Sequence, residues 1–237
     1  MLGNLKSKIK KFIFLLSGRF DHLKTGIRIN KKWYGNKYGG FFVSPDSLND
    51  KSVVYSFGIG EDISFDEAMI QNHNCSVFGF DPTPKSINWV KDRHDRLPSK
   101  FSFFGYGISD KSGFVDFYLP KNSQHVSGSF INQANVDEKQ AIKVEMKSLN
   151  DIALQLGHKK IDVLKMDIEG AEYQVLESVL KSGLQMDQIL IEFHERFFPD
   201  GKMRTISIKN MLKDHGYEIF GISDSFDEIS FIQKTVL

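Results

Sequence analysis

YEIFGISDSFDEISFIQ, residues 217–233, holds two strand-like runs, 217–221 and 228–233, joined by a few Ser- and Asp-rich residues. So short a link permits only an antiparallel pair, because a parallel return needs a crossover of a dozen residues or more. Upstream, apolar runs of strand length at 53–57, 76–80, 101–104, 161–166 and 188–193 alternate with helical periodicity at 63–71, 85–94, 170–181 and 203–215. That alternation is the mark of a parallel sheet with helices on both faces. An α/β sheet that is mostly parallel and closes on an antiparallel hairpin is therefore expected. It differs from the dinucleotide dehydrogenase arrangement, in which crossover helices continue to the end.

The first of these strands leads into VVYSFGIGED, residues 53–62, where Gly58 and Gly60 punctuate the turn before a helix. Glycine allows a positive φ there and lets backbone N–H groups approach a ligand at the helix N-terminus. Asp81 ends the next strand, at the spacing expected of the carboxylate that takes the two hydroxyls of a ribose. The third glycine of the dinucleotide pattern is replaced by Ile63. This argues against a pyrophosphate pressed to the helix end and for an adenosine cofactor without phosphate, such as S-adenosylmethionine. A tight turn with no ligand is the plain alternative.

A second informative stretch is IDVLKMDIEGAE, residues 161–172. Its strand ends in Asp167 and Glu169, two apart and so able to point the same way if the chain stays extended. Glu172 has a local explanation, since early acidic residues favour a helix N-terminus. In ILIEFHERF, residues 189–197, Glu192 and His194 are also two apart and at the same carboxyl-terminal sheet edge. A carboxylate partner fixes a histidine tautomer and raises its basicity, so His194 is the expected general base, oriented by Glu192 and accompanied by Asp167. The polar stretch 121–139, with Ser129 at its centre, lies between strand-like runs 114–119 and 141–147 and is a candidate substrate-facing loop.

With 237 residues, 41% hydrophobic, the chain can bury a full core. The expected organisation is an N-terminal extension, 1–32, and one domain, 33–237. The single cysteine, Cys75, excludes an internal disulfide or a CxxC metal cluster and fits a reducing compartment, so a cytoplasmic location is expected. Residues 1–32 hold nine of the 31 Lys and Arg against the lone Asp21. Within them Leu2, Leu5, Ile9, Phe12, Ile13 and Leu16 recur at helical spacing beside lysines. This basic amphipathic helix either lies peripherally on an anionic membrane surface or caps the domain or a partner. Its apolar run, 12–16, is too short to span a bilayer. Elsewhere the aromatic, glycine-rich KKWYGNKYGGFFV, residues 31–43, reads as a turn and short strand that closes over the cofactor or packs on the domain edge.

Taken together, VYSFGIGEDISFDEA, FGFDPTP, LKMDIEGAEYQVLE and ILIEFHERFF resemble the FkbM-type family of S-adenosylmethionine-dependent methyltransferases, over residues 37–233. The resemblance implies a three-layer, Rossmann-like class I methyltransferase fold with a seven-stranded sheet. It implies S-adenosylmethionine facing Ser56, Gly58, Gly60, Glu61, Asp81, Pro82, Gly107, Ile108 and Asp167, with the 107–110 loop near the adenine. It further implies O-methylation of a hydroxyl on a sugar, glycan, glycolipid or secondary metabolite, with Glu169 and Ser129 toward the acceptor. The sequence departs from many class I enzymes at Ser56, where they carry an acid, and at Asp62, where they carry glycine. Asp167, Glu169, Glu192 and His194 also offer hard ligands for Mg²⁺ or Mn²⁺, although a metal-free site is expected; activity that survives EDTA separates the two. A non-catalytic cofactor-binding module and an NAD-dependent oxidoreductase are the rival functions. A nucleic-acid substrate is disfavoured, because the one strongly basic region is the N-terminal helix.

Overall fold

The computed structural model describes residues 18, 20–120 and 136–237. The amphipathic stretch 2–16 and Ser129 lie outside these residues. Past residue 20 the chain runs along the domain without regular structure. Phe20 stacks on Phe226 at 4.8 Å, and the Gly26 N–H donates to the Ile219 carbonyl. The aromatic segment then forms a hairpin of β1 (Lys32–Tyr34) and β2 (Phe41–Val43). Tyr34, Phe41 and Val43 are buried, so this hairpin packs on the domain.

The alternating pattern follows: β3 (Val53–Phe57), α1 (Ser64–His73), β4 (Ser76–Phe80), α2 (Pro84–Lys91) and β5 (Phe101–Phe104). Three further strands, β6 (Gly107–Ile108), β7 (Gly113–Pro120) and β8 (Val136–Lys147), make a separate small sheet in the order β6-β8-β7. Then come α3 (Leu149–Leu156), β9 (Lys160–Met166), α4 (Glu172–Lys181), β10 (Gln185–Glu192) and α5 (Gly201–Asp214). The chain closes with β11 (Tyr217–Ile222) and β12 (Glu228–Gln233).

The main sheet has seven strands in the order β11-β12-β10-β9-β3-β4-β5. Only β12 runs against its neighbours, antiparallel to both β10 and β11. The closing hairpin is thus as the sequence requires, with its second strand inserted between the first and the rest of the sheet. The central strands read as continuous apolar runs because both faces are covered. Tyr55, Phe57, Leu164 and Met166 face one core with α3, α4 and α5. Val54, Val163, Phe65 and Met69 face the other, with α1 and the β1–β2 hairpin. The result is the three-layer fold of class I methyltransferases.

Two local expectations are corrected. The second helix starts at Pro84, with the Thr83 side chain accepting from the Ser86 N–H, and stops at Lys91 instead of reaching residue 94. The following residues tighten into a 3₁₀ turn, His94–Arg96, ahead of Pro98, whose predecessor is pushed out of helical geometry. Helix α3 was not expected; Ser148 caps its start and Gly157, at φ +74°, its end. No described helix is long and apolar enough to cross a membrane.

Candidate active site

A cleft of about 450 Å³ opens at the carboxyl ends of β3, β4 and β9. From β3 the order runs outward to β4 and β5 on one side and to β9 and β10 on the other. This is the switch point at which open α/β sheets bind ligands. Gly58, Asp81, Pro82, Gly107, Ile108 and Asp167, expected to face the cofactor, and Glu169, expected to face the acceptor, line it together with Thr83. Phe117 and Met146 of the small sheet complete its wall. Sequence reading missed these two, because no local pattern ties that sheet to the cleft.

Gly58 is required by geometry. Its φ is +82°, and a Cβ would stand 1.7 Å from the Asp167 carbonyl oxygen, so the turn after β3 lies directly against the end of β9. Gly60, also at positive φ, gives its N–H to Asp81 Oδ2 at 2.8 Å. Thr83 gives its N–H and hydroxyl to Asp81 Oδ1, at 2.8 and 2.6 Å. The Ile59 backbone also bonds to it, so most of the roughly four positions of this carboxylate are taken from within the protein and little is left for the expected pair of ribose hydroxyls. Burial pushes Asp81 above the usual carboxylate range, with the Thr83 and Gly60 donors pulling it back. A buried, anchored acid opposite a turn with no room for a side chain fits a nucleoside, and Asp66 and Glu67 in the first turn of α1 disfavour a phosphate at that helix start.

Of the other expected cofactor contacts, Gly60 stands behind the lining on Asp81, and Ser56 and Glu61 stand elsewhere. Strand alternation sends Ser56 to the face opposite Tyr55 and Phe57, where it is fully buried beside Asp66 and across from Lys165. Lys165 is itself buried and donates to the Gly58 carbonyl at 3.0 Å, so this group buttresses the glycine turn from behind. Burial raises Asp66 to about 6, against the pull of Lys165. Glu61 turns outward and pairs with Lys85 at 3.0 Å.

At the other end of the cleft four carboxylates converge on one imidazole. His194 is fully buried, with its Nε2 3.3 Å from Glu169 Oε2, 3.5 Å from Glu192 Oε1 and 3.8 Å from Asp167 Oδ1. Its Nδ1 lies 3.1 Å from Glu172 Oε1, which also accepts the His194 backbone N–H. Glu172 Oε2 accepts from the Gly170 N–H. Glu172, and not Glu192, therefore orients the ring. The explanation from its position near a helix start concealed that role. Asp167 and Glu169 do converge, but through a turn and not an extended chain: Glu169 sits at φ +53°, a left-handed conformation uncommon outside glycine.

The electrostatics change the role expected of His194. Burial opposes its charge, but Glu172, Glu169 and Glu192 outweigh that and hold it well above the ordinary histidine value. With both ring nitrogens turned toward carboxylates, the acids beside Nε2 share with the ring the place of proton acceptor. Burial, then Asp167, pushes Glu192 up to about 9, and burial also raises Asp167. Asp167 and Glu169, which line the cleft, are the acids that a ligand there reaches.

A family model described as the methyltransferase FkbM domain matches residues 45–219. The chain is 28% identical over 148 residues to the probable methyltransferase-like protein 24 of Homo sapiens, covering 62% of this chain and 33% of that protein. It is 23% identical over 141 residues to the hexuronic acid methyltransferase AglP of Haloferax volcanii, with 59% and 56% covered. It is 26% identical over 151 residues to the 2-O-methyltransferase NoeI of Sinorhizobium fredii, with 58% and 61% covered. The chain thus spans about a third of the human protein and somewhat over half of the other two.

Proposed function

The chain belongs to the FkbM methyltransferase family, and from that premise we propose that it methylates a hydroxyl oxygen of a sugar or glycan. Its cofactor is S-adenosylmethionine, which supplies when bound a methyl group on a positively charged sulfur, already activated for transfer. What supports the reading is a single cleft lined at one end by Asp81 and at the other by Asp167 and Glu169.

In this reading Gly58 and Gly60 keep the β3–α1 turn close to the cofactor, and Asp81 holds a ribose hydroxyl. The 107–108 strand and Pro82 flank the base. Asp167 and Glu169 hold the acceptor hydroxyl, and Glu169 receives the proton that this oxygen gives up when it becomes a methyl ether. His194 and Glu172 fix the positions of the two acids. The names of AglP and NoeI, a hexuronic acid methyltransferase and a 2-O-methyltransferase, favour a sugar hydroxyl as acceptor.

The test is transfer of labelled methyl from S-adenosylmethionine to a panel of hexuronic acid and hexose glycosides, with amines and thiols as controls. Label recovered as a sugar methyl ether is expected. Label recovered only on the amines or thiols would overturn the assignment.

A further inference from the structure

We propose that Asp167, Glu192 and His194 bind a divalent cation of the Mn²⁺ and Mg²⁺ class at the mouth of the cleft. Two independent features carry this. The first is the disposition of the three groups, whose ligating atoms all lie within 4.8 Å of one another. Atoms held at roughly 2.1 Å around one ion stand about 3.0–3.4 Å apart when adjacent. The separations from His194 Nε2 to Glu192 and Asp167, 3.5 and 3.8 Å, need only small side-chain rotations to reach that. The second is His194 Nε2 itself. It is buried, aimed among these carboxylates, and has no aligned hydrogen-bond partner. A buried ring nitrogen without an aligned partner leaves an interaction unmet, and a cation that takes the place of its proton meets it.

The surroundings are those of a ligand histidine. Metal-bound imidazole commonly donates its other N–H to a carboxylate, which fixes the tautomer, and Glu172 occupies that position at 3.1 Å from Nδ1. Charge points the same way, because four carboxylates crowd one imidazole. Lys165 gives its ammonium to the Gly58 carbonyl, and Arg196 reaches Glu192 only at 3.7 Å. Two carboxylates with one imidazole suit Mn²⁺ or Mg²⁺ better than the soft metals. On the methyl-transfer reading, on which this role rests, the ion holds the acceptor hydroxyl oxygen and acidifies it, so that its proton passes to Glu169.

The experiment titrates the EDTA-stripped full chain with Mn²⁺, followed by electron paramagnetic resonance, with S-adenosylhomocysteine binding measured separately in EDTA. One bound Mn²⁺ per chain is expected, weakened at least tenfold in Glu192→Gln and in Asp167→Asn, and unchanged in the exposed control Glu177→Gln. Pulsed spectra of the unaltered protein are expected to show a directly coordinated nitrogen, a readout that needs no variant. Absence of saturable Mn²⁺ binding, or bound Mn²⁺ without that nitrogen signal, overturns the proposal. If S-adenosylhomocysteine binds but Mn²⁺ does not, only the cation site fails. If Mn²⁺ binds and the homocysteine compound does not, the site stands and the methyl-transfer reading fails.

Discussion

Replacing Gly58 by alanine, with Gly157→Ala as its partner, separates the cost of a left-handed backbone from the cost of crowding the cleft. Both glycines have positive φ, +82° and +74°. Forcing alanine into that region costs about 1–2 kcal/mol. At Gly157 a Cβ meets nothing within 4 Å, so this is the whole effect. For a chain of this size about 1 kcal/mol lowers Tm by roughly 2–4 °C, so Gly157→Ala is expected to lose about 2–8 °C. At Gly58 the Cβ would also fall 1.7 Å from the Asp167 carbonyl oxygen, and the turn must retreat from β9. Retreat strains the bonds that close it: Gly58 N–H to the Phe80 carbonyl, Asp167 N–H to the Phe57 carbonyl and Lys165 to the Gly58 carbonyl. Losing two of these, at about 1 kcal/mol each, brings the total to about 3–4 kcal/mol, or roughly 6–16 °C. Thermal melts and calorimetric titration with S-adenosylhomocysteine read the two effects. Gly58→Ala is expected to melt lower than Gly157→Ala and to bind at least tenfold more weakly than the parent, whereas Gly157→Ala binds as the parent does. Equal melts for the two variants, or parental binding by Gly58→Ala, would show that the Asp167 carbonyl does not crowd this turn.

Three further outcomes are expected. Asp81→Asn removes the charge that gathers the Gly60 and Thr83 donors, and should weaken S-adenosylhomocysteine binding by about 1.5–3 kcal/mol in a calorimetric titration. Unchanged affinity would free Asp81 from any cofactor role. Lys165→Met leaves the Gly58 carbonyl without its donor and the buried Asp66 without its cation, a loss of about 3–5 kcal/mol in denaturant unfolding. Adding Asp66→Asn should recover part of it, and no recovery would show that the two are not coupled. Burial lowers His73 and His158 below the ordinary histidine value, with Lys32 adding to the effect at His73. The unfolded chain then takes up protons that the folded one refuses as pH falls through about 6.5, so these two groups destabilise the fold there. Tm should fall less between pH 7 and 5.5 in the His73→Gln, His158→Gln double variant than in the parent. An identical pH profile would exclude both histidines.

Much of the architecture is legible in sequence because its signals are local. The strands Ser76–Phe80 and Phe101–Phe104 are apolar runs bounded by turn residues, and the short link before Glu228 dictates the antiparallel closure. The small sheet was harder, since β7 and β8 were visible as runs while their role as a wall of the cleft depends on tertiary packing. Helix α3 is only eight residues long, and its Ser148 cap and Gly157 stop were the available signals. Asp81, Asp167, Glu169, Glu192 and His194 were all recoverable from strand-end positions, but their division of labour was not. Glu172 meets His194 across 22 residues of sequence, and the left-handed φ of Glu169 leaves no mark in composition. Ser56 could have been set aside by alternation alone, since Tyr55 and Phe57 already claim the other face.

The methyl transfer proposed for this protein depends on the cleft between Asp81 and Asp167 binding the methyl-donor cofactor. Calorimetric titration of the full chain with S-adenosylhomocysteine, beside an identical titration with NAD, tests it most directly. One saturable site is expected for the former and no binding of the latter; saturable NAD binding with none for S-adenosylhomocysteine would show that the cleft serves a different cofactor.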